Sequence, residues 1–239
     1  MAVTRISESG RIRIERYIED YIDSGKIAGC SMIVWRGGDE LYTAFKGVQD
    51  LETRRPIARD TIFRVYSMTK PVASVALMML FDRGRFDLDD PVERFLPAFS
   101  GMRIYDPAGF HTPAAGRITI RQLLNHTSGL ILPAFSEHPL RETYVSQGVN
   151  GSRSEGTLAK VIDKLGELPL LFEPGTRWEY SMATDAVGRL VEVIDGRTFD
   201  AFLQDELLGP LGMVDTQFYL PQDKIPRFAA NYSRDASGP

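Results

Sequence analysis

The chain has 239 residues, of which 43% are hydrophobic and 25% charged, proportions of one large folded domain or two small ones and not of a disordered or fibrous chain. A formal net charge of −4 and a pI of about 5.5, with no basic cluster, argue against nucleic acid and anionic membranes as partners. Residues 1 to 9 lack the apolar core of a signal peptide and no later run is long enough to span a bilayer, so a cytoplasmic location is expected.

From residue 9 to residue 25, Ile12, Ile14, Tyr17, Ile18 and Ile22 recur at helical spacing among charges, and Ser24-Gly25 ends the pattern. The period then changes. Cys30 to Arg36 and Glu40 to Val48 are β-rich runs around Gly37-Gly38, which predicts a hairpin. Cys30 is the single cysteine and lies in an apolar run, so it reads as a small buried hydrophobe, and no disulfide within the chain is possible.

The stretch from Phe63 to Leu80 is the centre of the sequence. After Lys70 the small and apolar residues continue for the length of a buried helix, and Pro71 fits only in the first turn of that helix. Ser67 therefore sits at a helix start, where unpaired N–H groups and the macrodipole favour an oxygen that becomes negative. Lys70 follows one turn later on the same face. A serine hydroxyl needs a proton acceptor before it attacks a carbonyl, and a lysine supplies either a neutral amine or a charge that tunes another base. With 15 serines and 6 lysines, chance alone gives about 0.4 Ser-x-x-Lys matches, so context must decide. Taken singly, Ser67 is also a reasonable helix cap, Lys70 a solvated charge and Tyr180 a half-buried aromatic.

Gly84 is a plausible helix C-cap, and Asp87, Asp89 and Asp90 read as caps of a short segment ahead of Pro97. Ile118 to Leu130 reads as a short helix with a Thr119 cap, with His126 near its C-terminus, where the dipole and free carbonyls explain a histidine without catalysis. Residues 133 to 156, rich in Pro, Gly, Ser and Asn, are expected to be irregular and to wall a pocket. Helices are expected over Leu158 to Leu168, Thr184 to Ile194 and Phe199 to Leu208, and residues 221 to 239 read as a polar tail. The three histidines, His111, His126 and His138, show no metal-ligand spacing, and no Gly-x-Ser-x-Gly elbow occurs. No metal and no cofactor is expected.

Several separated segments, in order, carry a resemblance: Ser67-Met68-Thr69-Lys70-Pro71, Gly84, Leu88-Asp89-Asp90-Pro91-Val92, Leu123 to Leu130, Tyr180-Ser181-Met182 and Pro210-Leu211-Gly212-Met213. From about residue 15 onward the chain resembles the serine β-lactamase-related proteins, and among them the class C-related esterases called family VIII carboxylesterases. The resemblance implies an α/β (α+β) fold of the β-lactamase/DD-peptidase type, with a helical domain on an antiparallel sheet. Residues 1–66 would give the N-terminal helix and hairpin, 67–220 the helical domain and 221–239 a tail. It implies Ser67 as acyl-accepting nucleophile, Lys70 as its proton partner, Tyr180 as general base and later acid, and Tyr66, Ser181 and Met182 on the substrate side. The substrate would be a small ester with a short acyl chain.

For Tyr180 to act as a base near neutral pH, its reference pKa of about 10 must fall by roughly 3 units, about 4 kcal/mol. One cation about 4 Å away at an effective dielectric of about 20 supplies roughly that amount, while desolvation opposes it. Proton relay through a neutral Lys70 is equally open.

Two departures from the family pattern matter. Met182 stands where class C β-lactamases carry an asparagine that holds the lactam amide, which favours esters, with weak β-lactam turnover still possible. No Lys-Thr-Gly or Gly-rich equivalent follows Tyr180, although in the family that strand completes the oxyanion hole. The chain thus resembles the N-terminal portion of such an enzyme, its sheet incomplete, and a second polypeptide is expected to supply the rest. The competing readings are a β-lactamase, D-aminopeptidase, penicillin-binding-type amidase or acyltransferase on the same scaffold, and an inactive homologue or fragment acting as a binding module.

Overall fold

The computed structural model describes residues 5–109 and 111–233. These divide into two compact units, one of residues up to Val65 together with those from Tyr219 onward, the other Tyr66–Phe218.

The first unit opens with α1 (Glu8–Asp23), whose Ser7 cap accepts a hydrogen bond from the Gly10 N–H at 3.1 Å. Strands β1 (Gly29–Arg36) and β2 (Asp39–Gly47) pair antiparallel. Gly37 and Gly38 both have positive φ, +60° and +90°, as the tightest hairpin turn requires. The two-residue period puts Cys30, Met32 and Val34 on one face with Tyr42 and Ala44, where they pack with Ile14, Ile18 and Ile22 of α1. Ile33 and Trp35 point the other way and are exposed.

The segment read as a polar tail folds back in its described part. Ile62 pairs in parallel with Phe228, the Ile62 N–H donates to the Arg227 carbonyl at 2.8 Å, and Gln49 Nε2 donates to the Pro226 carbonyl at 2.8 Å. The Gln49 carbonyl and side-chain N–H and both backbone groups of Ile62 find their partners in this segment, and that pairing is what orders it. Residues 1–4 and 234–239 lie outside the described range.

The second unit is mainly helical. α2 (Thr69–Asp82) follows directly on a 3₁₀ turn, Tyr66–Met68, and Pro71 is its third residue, where the missing N–H costs nothing. Short strands β3 (Arg103–Ile104) and β4 (Thr112–Pro113) pair antiparallel. α3 (Ile120–Leu124) starts in a capping box in which Thr119 and Gln122 satisfy each other's backbone N–H. α4 (Leu140–Ser146), α5 (Leu158–Gly166), α6 (Ala183–Asp195) and α7 (Phe199–Leu203) complete the unit, α7 running on into a π turn, Gln204–Leu208.

The core is built around α2 packed on α6. Ala73, Ala76, Leu77 and Leu80 of the one and Ala183, Ala186, Val187 and Leu190 of the other are buried together, the alanines allowing close approach. Two expectations change here. Residues 133 to 156 are not irregular throughout: α4 forms because Leu140 and Tyr144, four residues apart, are both fully buried, and the Tyr144 hydroxyl donates to the Pro169 carbonyl at 3.0 Å. The helix around residue 120 ends at Leu124 and not at Gly129, so His126, near its C-terminus as expected, lies just past the last turn, with φ +60°.

Candidate active site

All of the candidate residues lie in the second unit. Tyr66 holds a positive φ of +42°, an uncommon conformation for a side chain of its size, and this bend presents Ser67 at the mouth of α2 with its side chain exposed. Lys70 is the second residue of that helix and is half-buried. Tyr180 comes from the loop ahead of α6. The Ser67 Oγ lies 2.9 Å from the Tyr180 hydroxyl, and the Lys70 Nζ stands 4.7 Å from the centroid of the Tyr180 ring. Three residues singled out in the sequence are thus brought together at the adjoining starts of two packed helices.

The remaining three are placed differently. Tyr66 is exposed. Ser181 and Met182 turn inward: Met182 is fully buried in the helical core, and Ser181 is 1% exposed, its Oγ 3.1 Å from His126 Nδ1. Both therefore sit beneath Tyr180 and anchor its loop, because residue 182 must cover the first turn of α6.

His126 is the residue that sequence reasoning assigned only to a helix end. Its carbonyl accepts the Glu179 N–H at 2.9 Å and its Nδ1 accepts the Ser181 N–H at 3.3 Å. The Ile131 carbonyl accepts the Met182 N–H at 3.2 Å. Residues 126–131 thereby clasp residues 179–182 from both ends. An Nδ1 that accepts an N–H is unprotonated, and burial first, then the Lys70 charge, lowers the His126 pKa, which keeps the ring neutral. The ring lies 5.1 Å from that of Tyr180.

Burial pushes the Tyr180 phenol up, but hydrogen bonding to Lys70 and Ser67 and the Lys70 charge outweigh it, so the net shift is below the ordinary tyrosine value; Asp185 opposes the decrease. Asp185 is in the first turn of α6, five positions after Tyr180. Burial raises its own pKa and Lys70 lowers it. Lys70 thus interacts with both the phenol and this carboxyl. In the sequence, Asp185 cannot be told from any acid at a helix start.

Among the described residues, no group of three or more His, Cys, Asp or Glu side chains is placed to hold a metal, and no helix is long and apolar enough to cross a membrane.

The chain belongs to the Beta-lactamase family, whose model matches residues 14–239. It is 33% identical over 222 residues to esterase EstB of Burkholderia gladioli, covering 92% of this chain and 54% of that protein. It is 33% identical over 190 residues to the monacolin J acid methylbutanoyltransferase of Aspergillus terreus, covering 76% and 44%. The solved structure of EstCE1, described as a hydrolase with promiscuous acyltransferase activity, superposes with a TM-score of 0.82 at 31% identity, over 96% of this chain and 58% of that one. A class C β-lactamase matches at a TM-score of 0.70 and 20% identity, a likeness of fold. The fold is therefore β-lactamase/DD-peptidase-like, with helices and small antiparallel sheets. The chain spans about half the length of the curated relatives it matches.

Proposed function

We propose that the chain is a serine hydrolase that cleaves small carboxylic esters with short acyl groups through an acyl-enzyme on Ser67, with Lys70 and Tyr180 moving the protons. The observation that carries this reading is the 2.9 Å contact between Ser67 Oγ and the Tyr180 hydroxyl beneath the Lys70 ammonium. In acylation the Ser67 oxygen forms a bond to the ester carbonyl carbon and gives its proton to the Tyr180 oxygen. As the carbonyl–alkoxide bond breaks, Tyr180 returns that proton to the departing alcohol. Water then takes the place of Ser67 as proton donor to Tyr180 and attacks the acyl carbon; as the bond from that carbon to the Ser67 oxygen breaks, Tyr180 returns the proton to Ser67, leaving the carboxylic acid and a free serine.

Charge that develops on the carbonyl oxygen needs donors already in place, and each one is worth about 2.7–4 kcal/mol. The start of α2 offers unpaired N–H groups beside Ser67. We assign the second donor to polypeptide that corresponds to the part of the relatives not covered by these 239 residues, on the same or a separate chain. Met182 is fully buried in the helical core and offers a substrate no amide-holding side chain, which favours esters over lactams.

Acyl transfer to an alcohol is the second reading, favoured by the exposure of Ser67, which leaves an acyl-enzyme open to acceptors other than water. The test is intact-mass analysis before and after a fluorophosphonate label, with peptide mapping. A single adduct on Ser67, absent in Ser67→Ala, supports the acyl-enzyme; an unlabelled chain leaves the fold acting as a binding module. Hydrolysis against alcohol transfer, measured with one ester in water and in added alcohol, separates the two enzyme readings.

A further inference from the structure

Two large aromatic side chains beside Tyr180 have no role in moving the Ser67 proton. Phe135 is 74% exposed and Trp178 is 63% exposed. Singly, exposed aromatics need no explanation. These two, however, flank the same side chain: the Phe135 ring stands edge-on to Tyr180 at 5.9 Å between centroids with the planes at 80°, and the Trp178 ring lies 6.4 Å from it, tilted by 33°. Lys70 sits over the Tyr180 ring and His126 packs 5.1 Å from it, so Phe135 and Trp178 are the aromatic surface left for a ligand beside the phenol.

We propose that Phe135 and Trp178 form a subsite for the alcohol portion of the ester, and that this portion is a planar ring. The assignment to the alcohol side rests on the function proposed above and follows from the direction of proton transfer. Tyr180 gives its proton to the leaving alkoxide, so the alcohol oxygen must come within about 3 Å of the phenol oxygen. Its carbon substituent then extends past the Tyr180 ring, into the space that Phe135 and Trp178 border. A ring there gains offset or edge-on contacts from two side chains that lose little freedom on binding, whereas a methyl or ethyl group reaches neither.

The test uses the full chain with Trp35→Phe, which leaves Trp178 as the single indole of the two in the sequence. Titration with 2-naphthol, the alcohol released from a naphthyl ester, is expected to quench Trp178 fluorescence saturably, and Phe135→Ala, at an exposed position, to weaken that binding about tenfold. Under the same change the ratio of kcat/KM for 2-naphthyl acetate to that for ethyl acetate is expected to fall about tenfold, through KM. Quenching that does not saturate, or that is unchanged in Phe135→Ala, overturns the subsite. Binding of 2-naphthol needs no chemistry, so the two ideas fail separately: saturable binding without fluorophosphonate labelling of Ser67 keeps the subsite and removes the acyl-enzyme reading, and labelling of Ser67 without binding does the reverse.

Discussion

The Ser67 Oγ and the Tyr180 hydroxyl are 113 residues apart in the chain and 2.9 Å apart in space. Each stands at the entrance of a buried helix, and it is the packing of those helices that brings the two oxygens together. Removal of either oxygen tests what the contact does. Ser67→Ala is expected to abolish fluorophosphonate labelling and to lower ester turnover by about 10³-fold or more. Tyr180→Phe keeps the ring and its packing but loses the proton carrier, and is expected to slow labelling by about 10²–10⁴-fold. Stopped-flow labelling rates check both.

The pH dependence follows from the direction of the Tyr180 shift. A base acts when deprotonated, so kcat/KM should rise with pH through the Tyr180 pKa, and that ascending limb should lie below the ordinary tyrosine value of about 10. Lys70→Met removes both the hydrogen bond and the charge that favour phenolate, so the limb moves to higher pH and the rate at pH 7 falls. A pH–rate profile in which the limb stays in place would contradict this role for Lys70.

Asp185 acts in the opposite sense. Its charge disfavours phenolate at Tyr180, so Asp185→Asn, similar in shape, should move the limb to lower pH. A merely structural effect would lower the rate without moving the limb. The same pH–rate measurement distinguishes these outcomes.

His126 combines a left-handed backbone with a ring nitrogen that accepts the Ser181 N–H. Substitution by alanine loses the acceptor and strains the backbone, and turnover is expected to fall about 10–100-fold with the loop of Tyr180 loosened. Asparagine tolerates positive φ and carries a short acceptor, so His126→Asn should recover part of that loss. Equal damage from both would mean that the ring itself is needed.

Gly129 lies within the same clasp at φ +86°, and a Cβ there would stand 2.4 Å from the Phe172 carbonyl oxygen. Gly129→Ala is expected to cost about 2 kcal/mol or more, since backbone strain and a steric clash add. In a unit of this size that is a drop in melting temperature of about 4 °C or more, readable by calorimetry.

How much of this was legible in the sequence differs by element. The long elements were: α1, the β1–β2 hairpin, α2 and α6 repeat their apolar residues at one clear period over many positions, and the Ser67–Lys70 spacing is local. The proximity of Tyr180 to Ser67 was not, because residues so far apart become neighbours only through helix packing; the family resemblance alone linked them. α4 was hidden by the Pro- and Gly-rich residues around it, since its signal is two buried side chains. Ser181 and Met182 were expected on the substrate side because the family resemblance implies it, yet the start of α6 turns them inward. The return of residues 219–233 to the first unit rests on isolated backbone pairings, which leave no periodic trace.

The placement of the two oxygens at the entrances of α2 and α6 has a consequence for how the protein ages under heat. Because their separation is set by a shared helical interior, with Tyr180 held on it by the clasp of residues 126–131, the site depends on that interior staying packed. On slow warming, the capacity of Ser67 to react should vanish in step with the collapse of the helical interior, with no interval in which the chain is still folded but already inert.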